Sequence, residues 1–183
     1  MKFTKLVRWA ACGAAAVILG ACEKGPAPVA RGGPADASTV LPAGLFLEAE
    51  PAGVVGVRDS KAGVKAGDRV VIRGKIGGSM DPFVGGRAVF TIMDADVKGC
   101  DEMGDDHCPT PWDYCCEPLE SRTANAATIQ IVGADGRPLK ADLRGVHGLD
   151  PLAQVCVVGT VAQRDDAGTL VVNAESVYVK PRG

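Results

Sequence analysis

Gly67-Asp68-Arg69-Val70-Val71-Ile72-Arg73-Gly74-Lys75-Ile76 opens on a turn signal and runs on as a strand with a glycine inside it. A glycine within a strand marks a bulge or the kind of bend that turns a barrel corner. Downstream, Arg87-Ala88-Val89-Phe90-Thr91-Ile92-Met93-Asp94 reads as a second strand. A third starts at Ala127, where Thr128-Ile129-Gln130-Ile131-Val132 alternates as a half-buried strand does. Ala134-Asp135-Gly136 is a hairpin turn, and Leu139 to Leu143 is expected to return as a short strand. A short helical connection is expected over Gly148 to Ala153. Val155, Val157, Gly159 and Val161 then mark a fourth strand, Asp165-Asp166-Ala167-Gly168 a further hairpin turn, and Thr169 to Val179 the last strand.

Three strands, a short helix and two more strands make an all-β plan: a small five-stranded Greek-key OB-like barrel. The segment from Val54 to Ile76 resembles the opening of exported bacterial OB-fold proteins. The closing stretch, Val155-Cys156-Val157-Val158-Gly159-Thr160-Val161 and then Gly168-Thr169-Leu170-Val171-Val172-Asn173-Ala174, resembles the last hairpin of OB domains related to anticodon binders. These patterns of valine and glycine bear on fold; a fold by itself names no ligand.

The start of the chain speaks to location. Lys2, Lys5 and Arg8 precede an uncharged stretch from Ala10 to Leu19, followed by Leu19-Gly20-Ala21-Cys22. A basic flank, a short apolar core and small residues at the cut make a secretory signal. The apolar stretch falls well short of the roughly 20 residues of a membrane-spanning helix. A cysteine directly after the small residues resembles the lipobox of bacterial lipoproteins. That resemblance implies a signal peptide over 1–21, a diacylglyceryl thioether on Cys22 and acylation of its amine, palmitate being the expected acyl chain. The chain would then sit in the bacterial cell envelope, lipid-anchored to a membrane that Glu23 does not identify. Residues 22–48, rich in Pro, Gly and Ala with no apolar period, read as a disordered, flexible tether. The barrel domain is assigned to 49–183.

The whole chain carries a formal charge of −2, and loss of Lys2, Lys5 and Arg8 takes the remainder to −5. That balance gives no pull toward phosphate backbones. Single-strand binding wants a basic groove with aromatic platforms. The six aromatics beyond the signal are Phe46, Phe83, Phe90, Trp112, Tyr114 and Tyr178, with Phe90 in mid-strand as a core residue. Arg69, Arg73, Lys75 and Arg87 fit a solvated barrel face as well as a groove. Nucleic acid is therefore not the expected partner; a protein, a glycan or a small ligand is.

Between strands two and three, residues 95–126 form a cysteine-rich insertion, and long connections of this kind tend to be functional or disordered. It holds Cys100, His107, Cys108, Trp112, Asp113, Tyr114, Cys115 and Cys116. In the leading reading the four cysteines make two disulfides that staple the loop, as an exported compartment permits. Four cysteines allow three pairings, and a strained Cys115–Cys116 bond is the least favoured. In the second reading the cysteines, with His107, ligate zinc or copper(I). The spacing of seven intervening residues, then six, then none contains no Cys-x-x-Cys knuckle. In the third, a cysteine pair cycles between thiol and disulfide, although the neighbouring Asp113 and Glu117 oppose a reactive thiolate.

Trp112 and Tyr114 are expected to cap the open barrel end, or to line a binding pocket with Asp113 and Cys115. Cys156, among valines, reads as an inert buried thiol, and His147 as exposed polar surface. Asp101, Glu102, Asp105 and Asp106 lack EF-hand spacing. There is no nucleophile elbow, no His-Glu-x-x-His and no phosphate-cradling loop, and His107 and His147 are the only histidines. Nothing in the chain names a catalysed reaction. The expected function is that of an envelope-anchored binding or scaffolding module, with metal binding second and thiol redox chemistry third.

Overall fold

The structure, a computed structural model, describes residues 40–103 and 108–182. The signal, Cys22, the greater part of the tether and residues 104–107, among them Asp105, Asp106 and His107, lie outside the described residues. Among those described, no helix is long and apolar enough to cross a membrane.

Five strands close a barrel: β3 (Arg69–Ile76), β4 (Val89–Asp94), β5 (Ala126–Gln130), β6 (Gln154–Arg164) and β7 (Leu170–Val179). The ring runs β3-β4-β5-β7-β6 and back to β3. Every pair in it is antiparallel except β5 with β7. Two-residue strands β1 (Phe46–Leu47) and β2 (Val55–Gly56) add in parallel to β7 and β3. Alternation places Ile72, Phe90, Ile92, Ile129, Val157 and Val172 in one fully buried core.

Two strand glycines make closure possible. Gly74 is paired with Asp94 on one side and Val155 on the other, and a Cβ there would strike the Met93 carbonyl. Gly159, at a bulge in β6, would strike the Asn173 carbonyl and Val172. Backbones approach at both points more closely than a side chain allows.

Several expectations need correction. Residues assigned to the tether belong to the folded part: Leu45 is buried, and Phe46 and Leu47 pair with Val177 and Tyr178. Leu139 to Leu143 is no strand. Only a bridge between Val132 and Pro138 forms, because Ala88 takes both the Ile131 N–H and the Leu139 carbonyl that would have carried the ladder on, at 2.9 and 2.8 Å. Leu139 and Leu143 still bury their side chains. In place of a helix at Gly148–Ala153 there is a single 3₁₀ turn over Val146–Gly148, with Gly145, His147 and Gly148 all at positive φ. Left-handed residues in such a row cannot continue a helix.

Two short helices were not legible in the pattern. α1 (Val57–Gly63) follows β2, and α2 (Leu119–Asn125) leads into β5. Neither caps itself with its own N-cap side chain. Buried Asp94, at the end of β4, accepts the N–H of Arg58 at 2.8 Å and so serves α1 as a long-range cap. Gly56 leaves room for that carboxylate, since a Cβ would lie 2.8 Å from it. Arg58 donates to the Asn125 side chain at 2.8 Å, tying α1 to α2. Lys61, also buried, donates to the carbonyls of Thr123 and Gly168, both at 2.7 Å.

Candidate metal centre

The cysteines lie on the segment that joins β4 to β5. It leaves the barrel at Asp94, makes one 3₁₀ turn at Cys100–Glu102 and another at Pro111–Asp113, and re-enters through α2. Little apolar surface holds it. Met93, Val97 and Tyr114 form a small buried cluster separate from the barrel core, with Ala126 against it.

Tyr114 is the pivot. It sits at φ 57°, ψ 37°, a left-handed conformation costly for a residue with a Cβ, and its ring is wholly buried. Burying the ring offsets the strained backbone. Gly77, just past the end of β3, makes the seat: a Cβ there would lie 2.5 Å from the Trp112 carbonyl and 2.9 Å from the Tyr114 ring. The N–H of Gly78 donates to that same carbonyl at 2.8 Å, and the Trp112 indole N–H donates to the Met80 carbonyl at 3.0 Å. Trp112 and Tyr114 thus anchor the segment against the end of the sheet. The Tyr114 hydroxyl is buried with no hydrogen-bond partner among the described residues. Burial, reinforced by the nearby Asp101, raises its pKa.

The turn at Tyr114 delivers Cys115 to the other sulfurs. Sγ of Cys115 stands 3.9 Å from that of Cys100, 4.0 Å from that of Cys108 and 4.0 Å from that of Cys116. A disulfide requires about 2.05 Å. No two of these sulfurs stand at bonding distance, and the segment is held by Tyr114, Trp112 and their backbone contacts, with Lys75 paired to Glu102. The three sulfurs of Cys100, Cys108 and Cys115, with one carboxylate oxygen of Asp113, all lie within 4.8 Å of one another. Zinc–sulfur bonds of about 2.3 Å imply sulfur–sulfur edges of about 3.8 Å in a tetrahedron. The 3.9 and 4.0 Å separations from Cys115 fit that geometry, and three sulfur donors suit zinc or copper(I), the harder Asp113 carboxylate suiting zinc alone.

Asp113 also shapes the turn. One oxygen accepts the N–H of Cys115 at 2.7 Å and the other the hydroxyl of Thr110 at 3.0 Å. Cys100 is buried, Cys108 half-buried, and Cys115 and Cys116 are exposed. Burial raises the Cys100 thiol pKa, partly opposed by the N–H of Cys116. The Asp113 carboxylate is the main cause of a raised pKa at Cys115. These two sulfurs are thus protonated at neutral pH and make poor nucleophiles without an ion to displace the protons.

The remaining sequence candidates fall elsewhere. Lys75, buried on β3, pairs with Glu102 of this segment, a contact the sequence reading did not foresee. Arg69 pairs with Glu175 at 2.8 Å, and Arg73 lies 3.9 Å from Asp96. The basic side chains of β3 thus each face an acid. Cys156 is buried on β6 and donates to Glu50 at 3.5 Å, with burial pushing its pKa up to about 11. His147 is exposed, yet stacks on Phe46 at 4.1 Å between ring centroids. Thr110, Gly77 and Gly78 also shape the centre, and neither composition nor spacing marked them. Comparison with protein families, with curated proteins and with solved structures found no match for this chain.

Proposed function

We propose that this chain is a metal-binding lipoprotein of the bacterial envelope, its β-barrel carrying a thiolate site for zinc or copper(I). The observation that carries the reading is the convergence of Cys100, Cys108 and Cys115, with Asp113, inside 4.8 Å. The sulfur spacing is too long for disulfides and suited to ligands around one ion. The ring order with β5 parallel to β7, and a connection running from β5 to β6 outside the ring sequence, supports an OB-type barrel. The Leu19-Gly20-Ala21-Cys22 run supports lipid attachment at Cys22, with a membrane as the first partner.

Raised thiol pKa values weigh against redox cycling, because a cycling dithiol needs a stabilised thiolate, and a bound ion would have to displace the same protons. The test is native mass spectrometry of the exported protein, with and without thiol alkylation. One metal ion per chain, lost on Cys100→Ser, is the expected result. A metal-free mass lighter by four hydrogens, with the four cluster cysteines blocked to alkylation, would return the chain to a disulfide-stapled binding or scaffolding module.

A further inference from the structure

Cys116 stands outside the set of mutually close ligand atoms, yet its sulfur is 4.0 Å from Cys115, the same distance that separates Cys115 from Cys108. The cluster is graded in exposure, from Cys100, which is 1 % exposed, to Cys115 and Cys116 at the surface. A structural zinc site closes four ligands around the ion and leaves no open position for a further one. Here one edge of the sulfur set is open to solvent, and a further thiol lies one ligand-to-ligand spacing beyond it.

We infer that Cys116 is an exchange ligand, through which the ion bound by Cys100, Cys108 and Cys115 passes to or from a carrier that presents its own thiolates. The inference rests on the metal-site reading above. The step is ligand substitution without oxidation or reduction. The Cys116 thiol gives up its proton as a metal–sulfur bond to it forms. The bond to Cys108 breaks, and the Cys108 thiolate takes up a proton. The ion, now held by Cys100, Cys115 and Cys116, comes to the surface as a carrier thiol gives up its proton and bonds to it. The bond to Cys100 breaks, the Cys100 thiolate takes up that proton, and Cys116 and Cys115 are replaced in the same way. The turn geometry keeps both outer sulfurs in place: Asp113 holds the Cys115 N–H at 2.7 Å, and the Cys116 N–H acts on the sulfur of Cys100.

An exchange ligand changes rates more than equilibria, and this separates it from a resident ligand. The reduced full-length protein is loaded with Zn²⁺ alone, and release is followed after rapid mixing with an excess of a chromogenic chelator. The Cys116→Ser and Cys116→Ala variants should release zinc at least tenfold more slowly than the parent. Their equilibrium affinity should stay within threefold, and their far-ultraviolet circular dichroism should be unchanged. Cys108→Ser should lose affinity outright. Unchanged release rates in both Cys116 variants would overturn the exchange role. So would a loss of affinity as large as that of Cys100→Ser, which would make Cys116 a resident ligand. Failure of the parent protein to bind zinc or copper(I) at all would remove the metal site itself, and the exchange role with it.

Discussion

Gly77→Ala puts the link between barrel and cysteine segment under direct strain. The new methyl would lie 2.5 Å from the Trp112 carbonyl and 2.9 Å from the Tyr114 ring, against ordinary contacts of 3.4 Å or more. The strand side cannot yield, because the Gly77 N–H is held by the Thr91 carbonyl within the barrel. The segment must move. Overpacking of this kind costs about 1–3 kcal/mol, and losing the Gly78–Trp112 hydrogen bond adds about 1 kcal/mol. Burial of the Tyr114 ring contributes about 2 kcal/mol to docking and the two Trp112 hydrogen bonds about 1 kcal/mol each. The left-handed Tyr114 backbone offsets about 1–3 kcal/mol of this. The resulting cost of about 2–4 kcal/mol falls on docking of the segment and appears as metal affinity weaker by at least about 30-fold. Metal titration against a competing chelator reads the loss. In protein cut before Cys22, Trp112 is the sole tryptophan, so its emission reports on the segment alone and should shift to the red. The barrel melt should barely move, since the segment's buried cluster is separate from the barrel core. Affinity within threefold of the parent, with unchanged Trp112 emission, would refute the claim that Gly77 seats the segment.

Metal affinity should fall as pH falls. The Cys100 and Cys115 thiols carry raised pKa values, so at neutral pH the ion must displace their protons, and acid favours the thiol form. Titrations at pH 6, 7 and 8 should weaken by about tenfold or more per unit of acidification; a flat profile would contradict thiolate ligation. Asp94→Ala should cost about 1–2 kcal/mol through loss of the α1 cap, lowering the melting temperature by about 3–8 °C. Gly56→Ala should destabilise the parent protein but cost much less beside Asp94→Ala, because the atom it would strike is then gone; additive losses would count against the contact. Burial holds the Lys61 ammonium down at about 8 against 10.5 in the unfolded chain. Between those two values the unfolded state binds more protons than the folded one, so this group's contribution to stability rises with pH. Urea titrations at pH 8 and 10 should show that rise, and Lys61→Met should remove it.

The barrel was legible because its strands obey a period of two over five residues or more. The glycine at 74 and the valines at 155, 157 and 161 carry real constraints, namely a close backbone approach at Gly74 and core positions on β6. The elements that were missed are those too short to show a period. β1 and β2 have two residues each, and α1 and α2 seven. A seven-residue helix completes fewer than two turns, so no apolar stripe can repeat. α1 also depends on Asp94, 36 residues away, for its cap, a partner that no local signature can disclose. Assigning 22–48 wholly to the tether failed at its end because Leu45-Phe46-Leu47 is too short a run to show a period. Only pairing of Phe46 and Leu47 with β7, and burial of Leu45, makes these residues count.

The four cysteines were plain in the sequence; their arrangement was not. Spacings of seven, six and none match no knuckle, because a knuckle encodes its geometry in one local turn. Here the geometry is encoded at a distance. Tyr114 accepts a left-handed backbone only because its ring fills the space that Gly77 leaves open, and that conformation turns Cys115 toward Cys100 and Cys108. Two residues 37 positions apart thus set the spacing of three sulfurs. It follows that metal and segment should be thermodynamically coupled while the barrel is not. Removing the ion should let the segment fluctuate, with amide exchange rising over 97–103 and 108–117. Protection in β3, β6 and β7 should hold, because their core residues belong to a cluster the segment does not share. Equal loss of protection in barrel and segment on chelation would show instead that the two form one cooperative unit.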